Sequence, residues 1–321
     1  MHYDVFNGDA DGVIALLQLR LAEPKESTLI TGVKRDIALL KRVPVQAGTE
    51  VTVLDISMEK NQPALDDLLA AGATVQYFDH HRPGVIPQHQ GLQASIDMDP
   101  NTCTALLVDA ALNGQFRLWA ITAAYGDNMI ASADRLAEEA GLSSAQSALL
   151  REFGVLLNYN GYGAEVADLH FAPDALFEAL LPYRDPFDAI ADPASPYHTL
   201  KQAYAEDMAK AEAAQLLAED AVSAVYLLGG EPWCRRVSGV FGNELANRHP
   251  SRAHAVLTEN ADGSYLVSVR APLENKDGAD EVCVAFPTGG GRKGAAGINR
   301  LPADSLDDFI QCLSRRYKPS N

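Results

Sequence analysis

Asn7-Gly8-Asp9-Ala10-Asp11-Gly12 is the stretch on which the reading of this chain turns. Before it, Tyr3-Asp4-Val5-Phe6 alternates as a short strand does; after it, Val13 to Ala22 is apolar enough for a helix. A strand, an acidic loop and a helix place both carboxylates at the strand's C-terminal end, where open α/β sheets bind their ligands. Two acids one residue apart repel each other unless a cation lies between them. The loop matches the front half of a calcium-binding EF-hand, but Gln18 stands where that loop needs a bidentate glutamate. The competing reading is an Asn-Gly turn whose acids only cap the next helix.

Three other segments end in the same way. Asp55 follows Val51-Thr52-Val53-Leu54, and Asp79-His80-His81 follows Val75-Gln76-Tyr77-Phe78. Gly126-Asp127-Asn128 follows the helical run Leu118–Tyr125. Parallel strands would gather these residues at one edge of a sheet. Four carboxylates and an imidazole supply oxygen-rich sites for about two divalent ions, of the kind manganese and magnesium prefer.

The spacing of apolar runs gives the organisation. Strands are expected at Tyr3–Phe6, Thr28–Gly32, Val51–Leu54, Thr74–Phe78 and Leu92–Ile96, with helices at Val13–Ala22, Arg35–Lys41, Asn61–Ala71 and Thr104–Leu112. That alternation implies a parallel sheet covered on both faces. Asn101-Thr102-Cys103-Thr104 reads as the cap of the last of these helices. Helices are also expected near Ala133–Ala140, Ser144–Leu157 and Pro173–Leu181, and a long one near Tyr197–Asp220 after the Pro-rich stretch from Pro182 to Pro196. A second α/β unit then begins at Ala221–Leu228, with a helix at Phe241–Arg248. It continues with a hairpin, Ala253–Thr258 and Tyr265–Arg270, about a Gly turn, and ends in a helix at Ser305–Tyr317. The expected domains are residues 1–180, a helical linker 181–221, and a smaller C-terminal α/β domain 222–321.

The 321 residues carry a net charge of −17, unevenly spread. Residues 1–221 hold 14 basic and 32 acidic side chains, and residues 222–321 hold 12 and 11. Such a field argues against long duplex nucleic acid, which is held by neutralising many phosphates. No apolar run is long enough to span a membrane, and the N-terminus lacks the pattern of a secretory signal. The four cysteines are scattered, without a CxxC pair, which fits a reducing cytoplasm.

Asp9-x-Asp11-Gly12, Asp55, Asp79-His80-His81 and Gly126-Asp127 resemble, in order, the four motifs of the DHH phosphoesterase superfamily. Gly289-Gly290-Gly291-Arg292-Lys293-Gly294-Ala295-Ala296-Gly297 resembles the glycine-rich signature of the DHH-associated domain, and Val267-Ser268-Val269-Arg270 the strand that ends in its substrate-binding arginine. The resemblance implies an N-terminal DHH domain with a two-metal site and a C-terminal DHH-associated domain. Asp55 would bridge two manganese ions (magnesium being the alternative); Asp9 would hold one ion, and Asp11, His80 and Asp127 the other. His81 would face the phosphate, with Asp79 supporting the histidine pair. Two such ions, about 4 Å apart, activate water for in-line attack at phosphorus. Arg270, Gly289, Gly290, Gly291, Arg292 and Lys293 would bind substrate.

Two departures stand out. Asn7 occupies a place where relatives often carry a histidine; its amide oxygen is a weaker donor to manganese. Arg292 replaces the histidine after the glycines and would grip phosphate in two-pronged fashion. The expected activity is hydrolysis of small nucleotide phosphoesters: short oligonucleotides, linear or cyclic dinucleotides, or phosphoadenosine phosphate. The rivals are a nucleotide-binding protein of the same fold with little catalysis and, further off, an inorganic pyrophosphatase. Oligomeric state stays open, a homodimer being one option.

Overall fold

A computed structural model describes residues 1–99 and 101–318. The chain forms two compact units that divide between Ala203 and Tyr204. Among the described residues, no helix is long and apolar enough to cross a membrane.

The first unit is built on five parallel strands: β1 (His2–Phe6), β2 (Thr28–Ile30), β3 (Glu50–Leu54), β4 (Thr74–Asp79) and β5 (Leu92–Ile96), in the order β2-β1-β3-β4-β5. The three central strands are buried on both faces, which is why Val51 to Leu54 and Val75 to Phe78 read as mostly apolar runs. On one face Tyr3, Val5, Val53 and Tyr77 pack with Leu65, Leu68 and Leu69 of α2 (Met58–Ala70). On the other, α1 (Ala10–Ala22) brings Arg20 to the buried Asp4, with Nε 2.8 Å from Oδ2. A buried acid of this kind needs a cationic partner.

The rest of the unit is helical: α3 (Thr104–Ala111), α4 (Arg117–Gly126), α5 (Ile130–Glu139), α6 (Ser144–Asn160), α7 (Pro173–Leu180), α8 (Pro186–Ala191) and the first turns of α9 (Pro196–Ala211). Trp119 of α4 and Phe153 of α6 meet at 5.6 Å between ring centroids. Helix α8 lies inside the Pro-rich stretch from Pro182 to Pro196. Asp185 caps it by accepting the Phe187 amide at 2.8 Å, and Pro186 takes the first helical position, where its missing N–H is no loss.

Two expected helices are absent or cut short, and the one expected at Phe241–Arg248 begins already at Pro232. Residues 35–41 form no α-helix. Only a 3₁₀ turn, Leu40–Arg42, is present, and the loop before it is tied elsewhere: Lys34 N–H donates to Gly161 O, and Leu40 N–H to Asn61 Oδ1. The helix expected to reach Asp220 stops at Ala211, and the chain re-enters as β6 (Gln215–Glu219). Its Gln, Leu, Ala and Glu are good helix formers, and pairing with β7 (Ser223–Gly229) overrides that preference. Asp220 makes the turn by accepting the amides of Val222 and Ser223. The stretch read as a helical linker therefore holds α8, α9 and an edge strand.

The second unit is a six-stranded sheet, β10-β11-β9-β8-β7-β6. Its further strands are β8 (Ala253–Glu259), β9 (Tyr265–Arg270), β10 (Gly289–Arg292) and β11 (Ala295–Leu301). Only β7 and β8 pair in parallel, and α10 (Pro232–Arg248) makes the crossover between them. α11 (Ala279–Val284) and α12 (Leu306–Tyr317) cover the core of Val267, Val269, Val282, Ile298, Phe309 and Leu313.

Candidate metal centre

The acidic loop is held tightly. Asp9 is the N-cap of α1; its Oδ1 accepts the amides of Asp11 and Gly12 at 3.1 Å each. Both glycines of the motif are required by close approach. A Cβ at Gly8 would lie 1.9 Å from Gly32 O, and one at Gly12 would lie 2.2 Å from Asn7 O. Asp11 is almost fully buried, and its carboxylate reaches across to α3, where Oδ2 accepts the Thr104 amide at 2.7 Å and Oδ1 the Ala105 amide at 2.8 Å. The cap expected from Asn101 to Thr104 thus comes instead from a residue far earlier in the chain. An anion at a helix N-terminus is favourable.

Asp55 follows β3 with φ +58°, in the left-handed region that a non-glycine residue seldom adopts. The bend turns its carboxylate into the cluster. Asp55 Oδ1 accepts from the Thr104 hydroxyl at 3.2 Å and lies 3.4 Å from His80 Nε2 and 3.7 Å from His81 Nδ1. His80 Nδ1 lies 3.1 Å from Thr102 O, a carbonyl that can only accept; Nδ1 therefore carries the proton and Nε2 offers its lone pair. That nitrogen is 3.9 Å from both Asp11 Oδ2 and Asp127 Oδ2. His81 Nδ1 is 2.7 Å from Asp79 Oδ1, and the His81 side chain is 46 % exposed.

Electrostatics divide the cluster. Burial, and then the charges of Asp11, Asp9, Asp79 and Asp127, push the Asp55 carboxyl well above the usual range. Burial likewise raises Asp127, against the pull of Lys34. Asp9 goes the other way. Burial would raise it, but the Lys34 ammonium, 2.5 Å from Oδ2, outweighs burial and holds it at about 2. Burial lowers the imidazolium of His81, yet Asp79 overcomes this and raises it.

The donor set fits a divalent cation. Asp55, His80 and His81 offer ligand atoms that all lie within 4.8 Å of one another. Oxygen and imidazole donors of this kind suit manganese. Burial and the surrounding acids leave the Asp55 carboxylate with a charge that a bound cation would offset. Asp79 Oδ2, buried and without a hydrogen-bond partner, marks further polar capacity next to the pair of histidines.

All eight residues expected in the N-terminal site, Asn7, Asp9, Asp11, Asp55, Asp79, His80, His81 and Asp127, lie in this one unit at the carboxyl edge of its sheet or beside it. Lys34 was not among them. It comes from the loop after β2, the same edge, and donates also to Asn158 Oδ1 at 3.0 Å while standing 3.7 Å from Asp127. A basic residue a few places beyond a parallel strand was the available signal.

The residues expected to bind substrate lie in the second unit. Gly289 to Arg292 form edge strand β10, paired with β11, and not an open loop. Gly291 has φ +146°, and a Cβ there would come 2.4 Å from Ala296 Cα; the glycine serves a tight hairpin. Arg292 is exposed, and Lys293 pairs with Asp277 at 3.0 Å. The Arg270 guanidinium donates to Asn243 Oδ1, to Gly239 O at 3.2 Å and to Ser268 Oγ at 3.1 Å, so it braces α10 against β9.

No family model matches the chain, and no curated protein does. Solved structures do match. An exonuclease RecJ bound to manganese is 18 % identical, with a TM-score of 0.62, over 100 % of this chain and 90 % of that one. RecJ from Thermus thermophilus in complex with Mn2+ is 17 % identical, with a TM-score of 0.64, over 99 % of this chain and 52 % of that one. PggH, a pGpG-specific phosphodiesterase from Vibrio cholerae, is 13 % identical, with a TM-score of 0.55, over 99 % of both chains. These likenesses are of fold, and with the motif order they establish that this chain has the RecJ-like fold of the DHH proteins.

Proposed function

We propose that the protein is a metal-dependent phosphoesterase acting on small nucleotide phosphoesters: short oligonucleotides, linear or cyclic dinucleotides, or phosphoadenosine phosphate. The observation that carries this is the convergence of Asp55, His80 and His81 among the buried acids Asp9 and Asp11 and the half-buried Asp127. Related folds include an exonuclease with manganese and a dinucleotide phosphodiesterase, which supports the class.

The side chains divide the work. Asp55, His80 and Asp127 would hold the cation, manganese or magnesium, with Asp11 beside them. When bound, such an ion offsets charge on phosphoryl oxygens and acidifies a water. Asp79 keeps the proton on His81 Nδ1 and raises the imidazolium, so the exposed ring presents positive charge to an incoming phosphate. Thr102 O fixes the His80 tautomer, and Thr104 hydroxyl and amide orient Asp55 and Asp11. The net charge of residues 1–221 supports a short substrate over long duplex. The scattered cysteines, free in the structure, support work in a reducing compartment.

The test is a manganese-supplemented assay across short RNA, short DNA, linear and cyclic dinucleotides, phosphoadenosine phosphate and pyrophosphate. Turnover of a nucleotide ester is expected, falling on the order of 10³-fold in Asp55→Asn, which keeps the size and the left-handed backbone. Tight binding of a nucleotide without turnover in manganese or magnesium would replace the enzyme with a binding protein; turnover of pyrophosphate alone would move it to another substrate class.

A further inference from the structure

We infer that the Lys34 side chain occupies the place of one of the two ions implied by the sequence, so that the site takes a single divalent cation. This rests on the metal-dependent reading above, but it concerns the number of ions and how the chain sets it.

Each acid's free valence decides the matter. Asp9 has little left to offer: Oδ1 accepts two amides, and Oδ2 takes the Lys34 ammonium at 2.5 Å. Asn7, the other donor expected for an ion here, is turned to different work. Its Oδ1 accepts the Asp9 amide at 3.2 Å, and its Nδ2 donates to Lys34 O at 3.2 Å. The asparagine therefore pins the backbone of the residue whose ammonium sits on Asp9. Lys34 N–H donates to Gly161 O at 2.9 Å, Lys34 Nζ to Asn158 Oδ1, and the Tyr162 ring lies 5.5 Å from Nζ. The ammonium is held from the loop after β2, from α6 and from the residues just after it.

A divalent ion bonded to Asp9 Oδ2 would stand next to this charge, and the two cations would repel strongly in so buried a place. Among the described residues, no lysine or arginine pairs with Asp55, whose carboxylate faces His80 Nε2 at 3.4 Å. His80 Nε2 also lies 3.9 Å from Asp11 Oδ2 and from Asp127 Oδ2, so one nitrogen and three carboxylates surround this position. One divalent ion there, with the ammonium at Asp9, offsets most of the charge of Asp9, Asp11, Asp55 and Asp127. With two of its three N–H groups on Asp9 and Asn158, the ammonium has one left to offer a substrate.

The experiment is a count of manganese, by isothermal titration and elemental analysis of the full chain, together with the electron paramagnetic resonance spectrum at saturation. A single equivalent and the six-line pattern of an isolated Mn2+ are expected. Two equivalents with an exchange-coupled spectrum in the unaltered protein would overturn the inference. Retention of no manganese or magnesium would overturn the metal-dependent reading itself. In Lys34→Met, and more so in Lys34→Met with Asn7→His, a second equivalent and exchange coupling are expected, whereas Lys34→Arg should stay at one. A folded Lys34→Met/Asn7→His protein, judged by circular dichroism, that still takes one ion would also overturn it. The count in the unaltered protein decides the case should that variant not fold.

Discussion

Asp9 and Asp55 follow adjacent strands of one sheet, are both buried, and are of the same residue type, yet their carboxyls are driven in opposite directions. Asp9 has an ammonium in contact and two amides behind it. Asp55 has imidazoles near it but four acids around it, and its backbone is bent out of the ordinary regions to bring it there. The difference teaches where this fold keeps a filled position and where it keeps one to be filled. The chain itself supplies the counter-charge of Asp9; on the proposal above, a metal would supply that of Asp55.

Removing the ammonium should break this contrast most severely. Lys34→Met leaves Asp9 buried without its counter-charge, and a loss of about 3 kcal/mol of metal-free stability is expected at neutral pH. The pH dependence has a definite sign. Asp9 is lowered in the folded state from 3.8 to about 2, so the stability it contributes is present above the unfolded value and is lost as pH falls from about 4 toward 2. Denaturant melts of both proteins in chelator should therefore differ at pH 7 and converge in acid. A gap that stayed constant with pH would show that packing of the lysine stem, and not its charge, supports Asp9.

Asp79→Asn sharpens the other side. The histidine it braces would lose both its orientation and the charge that raises it, and a reduction in kcat/KM of roughly 10–100-fold is expected. The pH–rate limb that follows His81 protonation should move to lower pH, because the raised imidazolium loses its cause. A fall in rate with an unmoved limb would assign Asp79 to packing alone.

The smallest effects belong to the second unit. Arg292→Ala should raise KM for a phosphate-bearing substrate about tenfold with unchanged melting temperature. Arg270→Ala should instead lower the melting temperature, since the guanidinium joins Asn243 and Gly239 of α10 to Ser268 of β9. Manganese affinity should hold in both. If Arg292→Ala lost manganese affinity as well, the tail would have a role at the metal.

Much of this was legible in the residues. A strand that ends in an acid, repeated at Phe6, Leu54 and Phe78, places its acids at one edge by topology alone, and the structure gathers them there. Lys34 was not legible in the same way. Gly32 to Asp36 has no periodicity, and the run Arg35–Lys41 looks helical until Gly161 takes the Lys34 amide before it and Asn61 takes the Leu40 amide and the Ile37 carbonyl, contacts distant in sequence. β6 was missed for the converse reason: strong helix formers were recruited as an edge strand by a partner after the turn. The strand in the Gly run was not legible because glycine lacks the side chain that would announce one, while here its bareness lets two strands turn closely.

Asp11 carries a lesson for reading motifs by survival. Its two oxygens hold the first amides of α3, so the chain needs this acid to fold whether or not it performs chemistry. A descendant that had abandoned hydrolysis would still be under pressure to keep it. The second aspartate of Asp9-x-Asp11-Gly12 is thus poor testimony to activity in any chain built this way, and Asp55, which the fold holds only at a conformational disadvantage, is the better witness.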